Sequence, residues 1–117
     1  MLDEKAKELG RLIGQSAEYQ AVKRTSEALN ADQAAVTSLQ RMEELRVEAQ
    51  QLMQRGERPT PEMEQELDAL LGTVQSNITY QHAIAAQENF DKTMLKVNEW
   101  ILDGIKKGAE SRIITLG

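Results

Sequence analysis

From Ile78 to Lys107 the chain runs without a proline and keeps helical spacing of its apolar residues throughout. A helix over this span is roughly 45 Å long at 1.5 Å per residue. A compact domain of this chain length has a radius of gyration of only about 13 Å. One element therefore outreaches the globule that should cover it. That mismatch predicts an elongated helical protein, part of whose surface needs a partner.

The 117 residues make one domain, large enough for a single core. We place its helical body at residues 1–110 and a short tail at 111–117. Tyr19, Tyr80, Phe90 and Trp100 are its aromatic residues, and Pro59 and Pro61 its prolines. Ala, Leu, Glu, Gln and Met dominate, which favours helix over sheet. No alternating run of Val, Ile, Thr and aromatic residues precedes the tail. The expected fold class is all-α: an elongated antiparallel bundle of about five helices, two of them long, in a dimeric assembly.

The chain has no cysteine, which excludes disulfides, zinc–thiolate sites, iron–sulfur clusters and thiol catalysis within it. Met1-Leu2-Asp3-Glu4-Lys5 is charged and lacks the apolar core of a signal peptide. No apolar stretch has the length of a membrane span. A cytoplasmic location without membrane insertion is the expectation.

The net charge of −5 is unevenly spread. Between Pro59 and Asp91 stand Glu62, Glu64, Glu66, Asp68, Glu88 and Asp91, with no Lys or Arg. Such a surface repels phosphate and argues against direct nucleic-acid binding there. A solvated acidic face is the default account, and an acidic dock for a basic partner is the sharper one.

Apolar spacing and capping residues divide the chain. Leu2, Ala6, Leu9 and Ile13 share one face of a first helix ending near Gly14. Ser16 is an N-cap for a second, whose inner side uses Tyr19, Val22 and Leu29. Asn30 is expected to stop it in the left-handed conformation, with Asp32 capping the third helix. Ala35, Met42, Leu45, Ala49 and Leu52 then make a near-heptad seam up to Gly56. Thr60 and Pro61 open a fourth helix as N-cap and first helical residue, followed by the stripe Met63, Leu67, Leu70, Leu71 and Val74. Ser76-Asn77 caps the last.

That last helix carries two apolar lines. Ala83, Phe90, Met94, Val97, Ile101 and Ile105 cluster within roughly 100° of a helical wheel. Ile84, Leu95 and Leu102 lie about 100° around from them. The second line fits either another helix of the same chain or a second copy; the excess length favours the copy. Trp100 falls between core and solvent, as a bundle-edge residue or an interface anchor. Ile84, Leu95, Trp100 and Leu102 are therefore the candidate protein-interface residues. The apolar tail from Ser111 to Leu116 either frays or packs on a neighbouring subunit.

No catalytic, cofactor or metal constellation emerges. His82 is a lone histidine on a polar-leaning face. Glu62, Glu64 and Glu66 alternate and so scatter around a helix, whereas a hard cation wants convergent oxygens. Glu43, Glu44 and Glu48 interleave with Arg41 and Arg46, the pattern of a salt-bridged surface. Gly104 and Gly108 read as a weakening helix end, with Lys106 and Lys107 suited to the negative end of the dipole. Without a phosphate loop, nucleophile elbow or triad pattern, no enzyme is expected.

The order of these signals resembles a known bacterial family. A short helix leads to Ser16-Ala17-Glu18-Tyr19, and Leu29-Asn30-Ala31-Asp32-Gln33-Ala34-Ala35 opens a long one. A turn follows, built on Gly56-Glu57, Thr60 and Glu62, and then the helix from Ile78 to Ile101. This is similar to the YlbF/YmcA/YheA family, closest to its YheA-like branch, over about residues 3 to 105. The resemblance implies a helical bundle, commonly dimeric, with no established enzymatic activity. It further implies regulators of competence, sporulation and biofilm formation, working in complexes of family members that influence messenger-RNA processing by a membrane-associated ribonuclease. Some members carry cysteines tied to an iron–sulfur cluster; this chain has none, so that behaviour does not transfer.

The leading expectation is a non-catalytic homodimer acting through protein–protein contact, with family relatives or a ribonuclease complex as further partners. A holdase-like chaperone is the alternative, using Met42, Met53, Met63 and Met94 as adaptable surface. A nucleic-acid binder comes third and requires Arg41, Arg46, Arg55 and Arg58 to form one basic strip.

Overall fold

The computed structural model describes residues 1–116, with side chains through Glu110. Its elements are α1 (Leu2–Gln15), α2 (Ala17–Ala31), α3 (Gln33–Gln54), α4 (Pro61–Ser76) and α5 (Ile78–Leu116). There is no strand among the described residues. The fold is all-α and elongated, as expected.

Short polar caps make the breaks. Ser16 sits in extended backbone, and its Oγ accepts from the Tyr19 N–H at 3.2 Å. Thr60 accepts from the Met63 N–H at 3.2 Å, with Pro61 at the first helical position. Asp32 Oδ1 accepts from the Ala35 N–H at 3.1 Å, and Asn77 Oδ1 from the Tyr80 N–H at 2.9 Å. Each satisfies an amide that the helix itself leaves unpaired.

Among the described residues Gly56 alone has positive φ, at 79°. The Gly56 N–H donates to the Met53 carbonyl at 3.0 Å and the Glu57 N–H to the Leu52 carbonyl at 2.8 Å. This is a Schellman ending, and it needs a left-handed residue at that position. Asn30 does not play that part at the end of α2, which runs through Ala31. Asp32 then turns the chain in extended backbone, φ −85° and ψ 99°. Because the Asp32 side chain begins the next helix directly, no left-handed residue is required.

The helices pair as two arms. α2 packs mainly on α5 and α3 mainly on α4, while α1 packs against α2. Tyr19 meets Phe90 edge-to-face at 5.4 Å, and Asp32 meets Asn77 at 3.0 Å. Tyr19 precedes Asp32 on α2 by about as many residues as Phe90 follows Asn77, so α2 and α5 run antiparallel in one register. The α3/α4 hairpin leaves from the same Asp32–Asn77 junction. Its two helices are clamped by Arg41, whose Nε reaches Glu66 Oε1 at 2.6 Å and whose Nη2 reaches Oε2 at 3.0 Å.

The core is thin. Ala35, Leu45, Val74 and Val97 are the fully buried apolar residues among those described. The radius of gyration is 21.7 Å and the extents are 69 × 37 × 20 Å. A compact monomer of this mass exposes roughly 6,400 Å². This chain exposes 9291 Å².

One expectation about the last helix changes. The helix does not weaken at Gly104 or Gly108 but continues to Leu116. The space beside both glycines is open, with no neighbouring group within 4 Å of where a side chain would begin. The expected packing of the tail side chains from Ser111 onward lies outside the described residues.

Candidate functional site

The first half of α5 is covered by its own chain. Ala83, Ala86, Phe90 and Met94 are half-buried and Val97 is buried, along the face that carries the Tyr19 contact. From Asn98 through Glu110 every residue is exposed. The covered stripe therefore runs out: Ile101 and Ile105, which continue its spacing, stand bare. The reason is length. In the shared antiparallel register, α2 is exhausted near Thr93, and α1 turns off at Ser16.

All four candidate interface residues lie on the surface. Ile84 is 40% exposed, Leu95 63%, Trp100 66% and Leu102 59%. No helix of this chain covers the second apolar line, so the same-chain account of it is removed. Trp100 and Leu102 join Ile101 and Ile105 on one continuous apolar arc. Ile84 and Leu95 sit farther back, each in a shallow polar-rimmed depression, with Gln81 and Glu88 beside Ile84 and Lys92 and Lys96 beside Leu95.

The arc beyond Val97 is broad and ordered. At 100° per residue, Trp100, Gly104, Gly108, Ile101, Ile105 and Leu102 follow one another over about 200° of the helix circumference. Lys107 borders it on the Trp100 side and Lys106 on the Leu102 side. Glu99, Asp103 and Glu110 fall at the back. A helix with an apolar face, basic borders and an acidic rear projects beyond the body.

A second apolar feature was not singled out as a site by the sequence reading. Leu39, Met42, Leu45, Ala49 and Met53 of α3 face Pro59, Met63 and Leu67 across a groove of about 660 Å³. Its polar lining is Glu43, Arg46, Gln50 and Glu64. Met42, Met53 and Met63 supply half-buried or exposed thioethers to it, and Met53 is 66% exposed. Met94 is not among the groove residues and is half-buried on α5. The methionines were the available signal, but only the hairpin pairing brings three of them together.

Much of the charge on α3 is paired within this arm. Arg41 also reaches Glu44 at 3.0 Å and Glu48 at 3.7 Å, and Arg46 pairs with Glu43. The expected salt-bridged surface is present. Arg41, Arg46, Arg55 and Arg58 accordingly do not form one free basic strip. The Arg41 guanidinium holds the Glu66 carboxyl below the ordinary glutamate range, and its own pKa is raised in return. Asp32 is likewise lowered, chiefly by the Asn77 amide and then by the Ala35 N–H.

His82 is exposed on α5. The described residues contain no group of three His, Cys, Asp or Glu side chains placed to hold a metal ion. No helix among them is long and apolar enough to cross a membrane.

Residues 2–106 match the family model described as control of competence regulator ComK, YlbF/YmcA. The chain belongs to the YlbF/YmcA family. That description gives the family a regulatory role. The chain is also 27% identical over 101 residues to a UPF0342 protein of Streptococcus gordonii, covering 86% of this chain and 90% of the relative. A UPF0342 protein of Leuconostoc citreum is 23% identical over 94 residues, 80% of each chain. Among solved structures, a protein of unknown function (DUF964) from Bacillus stearothermophilus superposes with a TM-score of 0.64. It is 18% identical over 90% of this chain and 92% of that one, a likeness that bears on the fold. The YlbF/YmcA match ends at Lys106, so it includes the bare apolar arc as far as Ile105.

Proposed function

We propose that this YlbF/YmcA-family protein is a non-catalytic regulator that acts in the cytoplasm by presenting the uncovered face of α5 to other proteins, first of all to a second copy of itself. The observation that carries this reading is the fully exposed run from Asn98 to Glu110. Trp100, Ile101, Leu102 and Ile105 in that run would each gain about 1.5–3 kcal/mol on burial. The surface in excess of a compact monomer, roughly 2,900 Å², exceeds the ~800 Å² per partner of a standard interface. Family relatives, or a ribonuclease complex in which they take part, are the further partners we propose.

The test is a pair of charge substitutions. Leu95→Glu and Leu102→Glu together should lower the assembly mass measured by light scattering while leaving the helical circular dichroism unchanged. An assembly of unaltered mass would place the interface elsewhere and sink the assignment of these residues.

A further inference from the structure

The geometry points to the α3/α4 groove as the seat of the α5 projection of a second copy, so that two chains exchange these elements about a two-fold axis. The inference rests on the proposal that the protein assembles through α5 and names what α5 meets.

Each chain displays both halves of such a contact and cannot join them itself. α5 is one continuous helix, and it leaves the Asp32–Asn77 junction along α2. Its bare portion starts about 30 Å from that junction. The α3/α4 hairpin leaves the same junction as a separate arm. To reach its own groove the helix would have to break near Val97, where it is continuous and buried.

The chemistry of the two surfaces matches. The groove is apolar, flexible in its thioethers, and runs along α3 from Leu39 to Met53, about 21 Å. The apolar arc from Trp100 to Gly108 is shorter, about 12 Å, and fits within it. On the groove's rim Glu43 is held by Arg46, which leaves Glu64 as the acid without an ion pair there, and α4 has no basic residue. Lys106 and Lys107 border the arc on both sides, while the acids of that segment point to its rear. α1 is the other exposed amphipathic helix, but Lys5 stands within its apolar face, beside Leu12, and pairs with Glu8 at 3.8 Å. Gly104 and Gly108 lie in the Trp100 half of the arc with open space beside both, which lets a facing helix come close. A two-fold pair makes the contact twice, as an isologous interface requires.

The absence of cysteine allows a direct test on the full chain. Two single-substitution proteins, Met53→Cys and Ile105→Cys, are mixed and treated with a short bis-maleimide. Both positions are exposed, so neither change opens the core. The expected product joins the two different variants, identified by mass spectrometry, at a yield at least tenfold above either variant alone. A Lys106→Glu, Lys107→Glu background should reduce that yield severalfold. Cross-linking of Ile105→Cys only to itself, in a protein of dimeric mass, would leave assembly through α5 standing and overturn the groove assignment. Cross-linking of Met53→Cys to a Leu12→Cys variant instead would assign the groove to α1. A monomeric mass with no product would remove both proposals, and recovery of the groove bound only to a foreign protein would overturn this one.

Discussion

Asn77 Nδ2 donates to Asp32 Oδ2 at 3.0 Å, so the N-caps of α3 and α5 form one hydrogen-bonded unit across 45 residues of sequence. Each side chain also accepts from a free amide in the first turn of its own helix, Ala35 for Asp32 and Tyr80 for Asn77. The junction of the two arms is thus fixed by two residues that each do two jobs. Asn77→Ala should destabilise the protein by about 0.5–2 kcal/mol, the usual cost of a lost N-cap. Combined with Asp32→Ala it should cost less than the two single changes added, because they share a bond. Urea denaturation of the four proteins checks this; strict additivity would mean the two caps act independently.

Acid should act on this junction and on the Arg41–Glu66 clamp. Asp32 and Glu66 have folded pKa values below their ordinary ones, so the unfolded chain binds their protons more readily. The stability they contribute is fully present above about pH 4–4.5 and is lost as the pH falls through their lowered folded values. Asp32→Asn, which keeps a capping oxygen without the charge, should flatten that decline. Melting temperatures between pH 2 and 6 provide the measurement, and parallel curves for the two proteins would count against it.

The hairpin depends on its fork. Arg41 grips both oxygens of Glu66, a planar match that Lys does not reproduce. Arg41→Lys should therefore lower the melting temperature nearly as far as Arg41→Ala does. A lysine variant as stable as the parent would show that charge alone joins α3 to α4.

Glycines separate turn from interface. Gly56→Ala places a Cβ at positive φ and should destabilise by about 1–2 kcal/mol. Gly104→Ala and Gly108→Ala lie in open helix and should stabilise an isolated chain by about 0.5–1 kcal/mol each. If a second copy packs on that arc, the same two changes should weaken assembly while raising helicity. Paired measurements of helix content and assembly mass distinguish the outcomes.

Local chemistry made most of this architecture readable from sequence. Ser16, Asp32, Thr60 and Asn77 announce helix starts because their side chains can replace a missing backbone partner, and they do so wherever the chain goes next. Gly56 announces an end for the converse reason. Asn30 misled because a left-handed stop and a direct hand-over to the next cap are both compatible with Asn followed by Asp. The stripe Phe90, Met94, Val97, Ile101 and Ile105 is uniform in sequence, yet it is covered only to Val97, about one turn beyond the end of α2. Where cover ends depends on the length and register of another helix, which spacing within α5 cannot show. The groove of Met42, Met53 and Met63 was hidden likewise, since it exists only once α3 and α4 lie side by side.

Four buried apolar residues among those described are a slender core, so folding should be linked to assembly. The melting temperature should rise with protein concentration over a hundredfold range. A melting temperature independent of concentration would place all of the stability within one copy.

The most direct measurement of the central claim is the molar mass in solution by light scattering, followed through serial dilution. The account predicts about twice the 13.1 kDa chain mass at micromolar concentration, falling toward 13.1 kDa when Trp100 and Leu102 are both changed to Glu. A mass of 13.1 kDa for the unaltered protein at every concentration would contradict it.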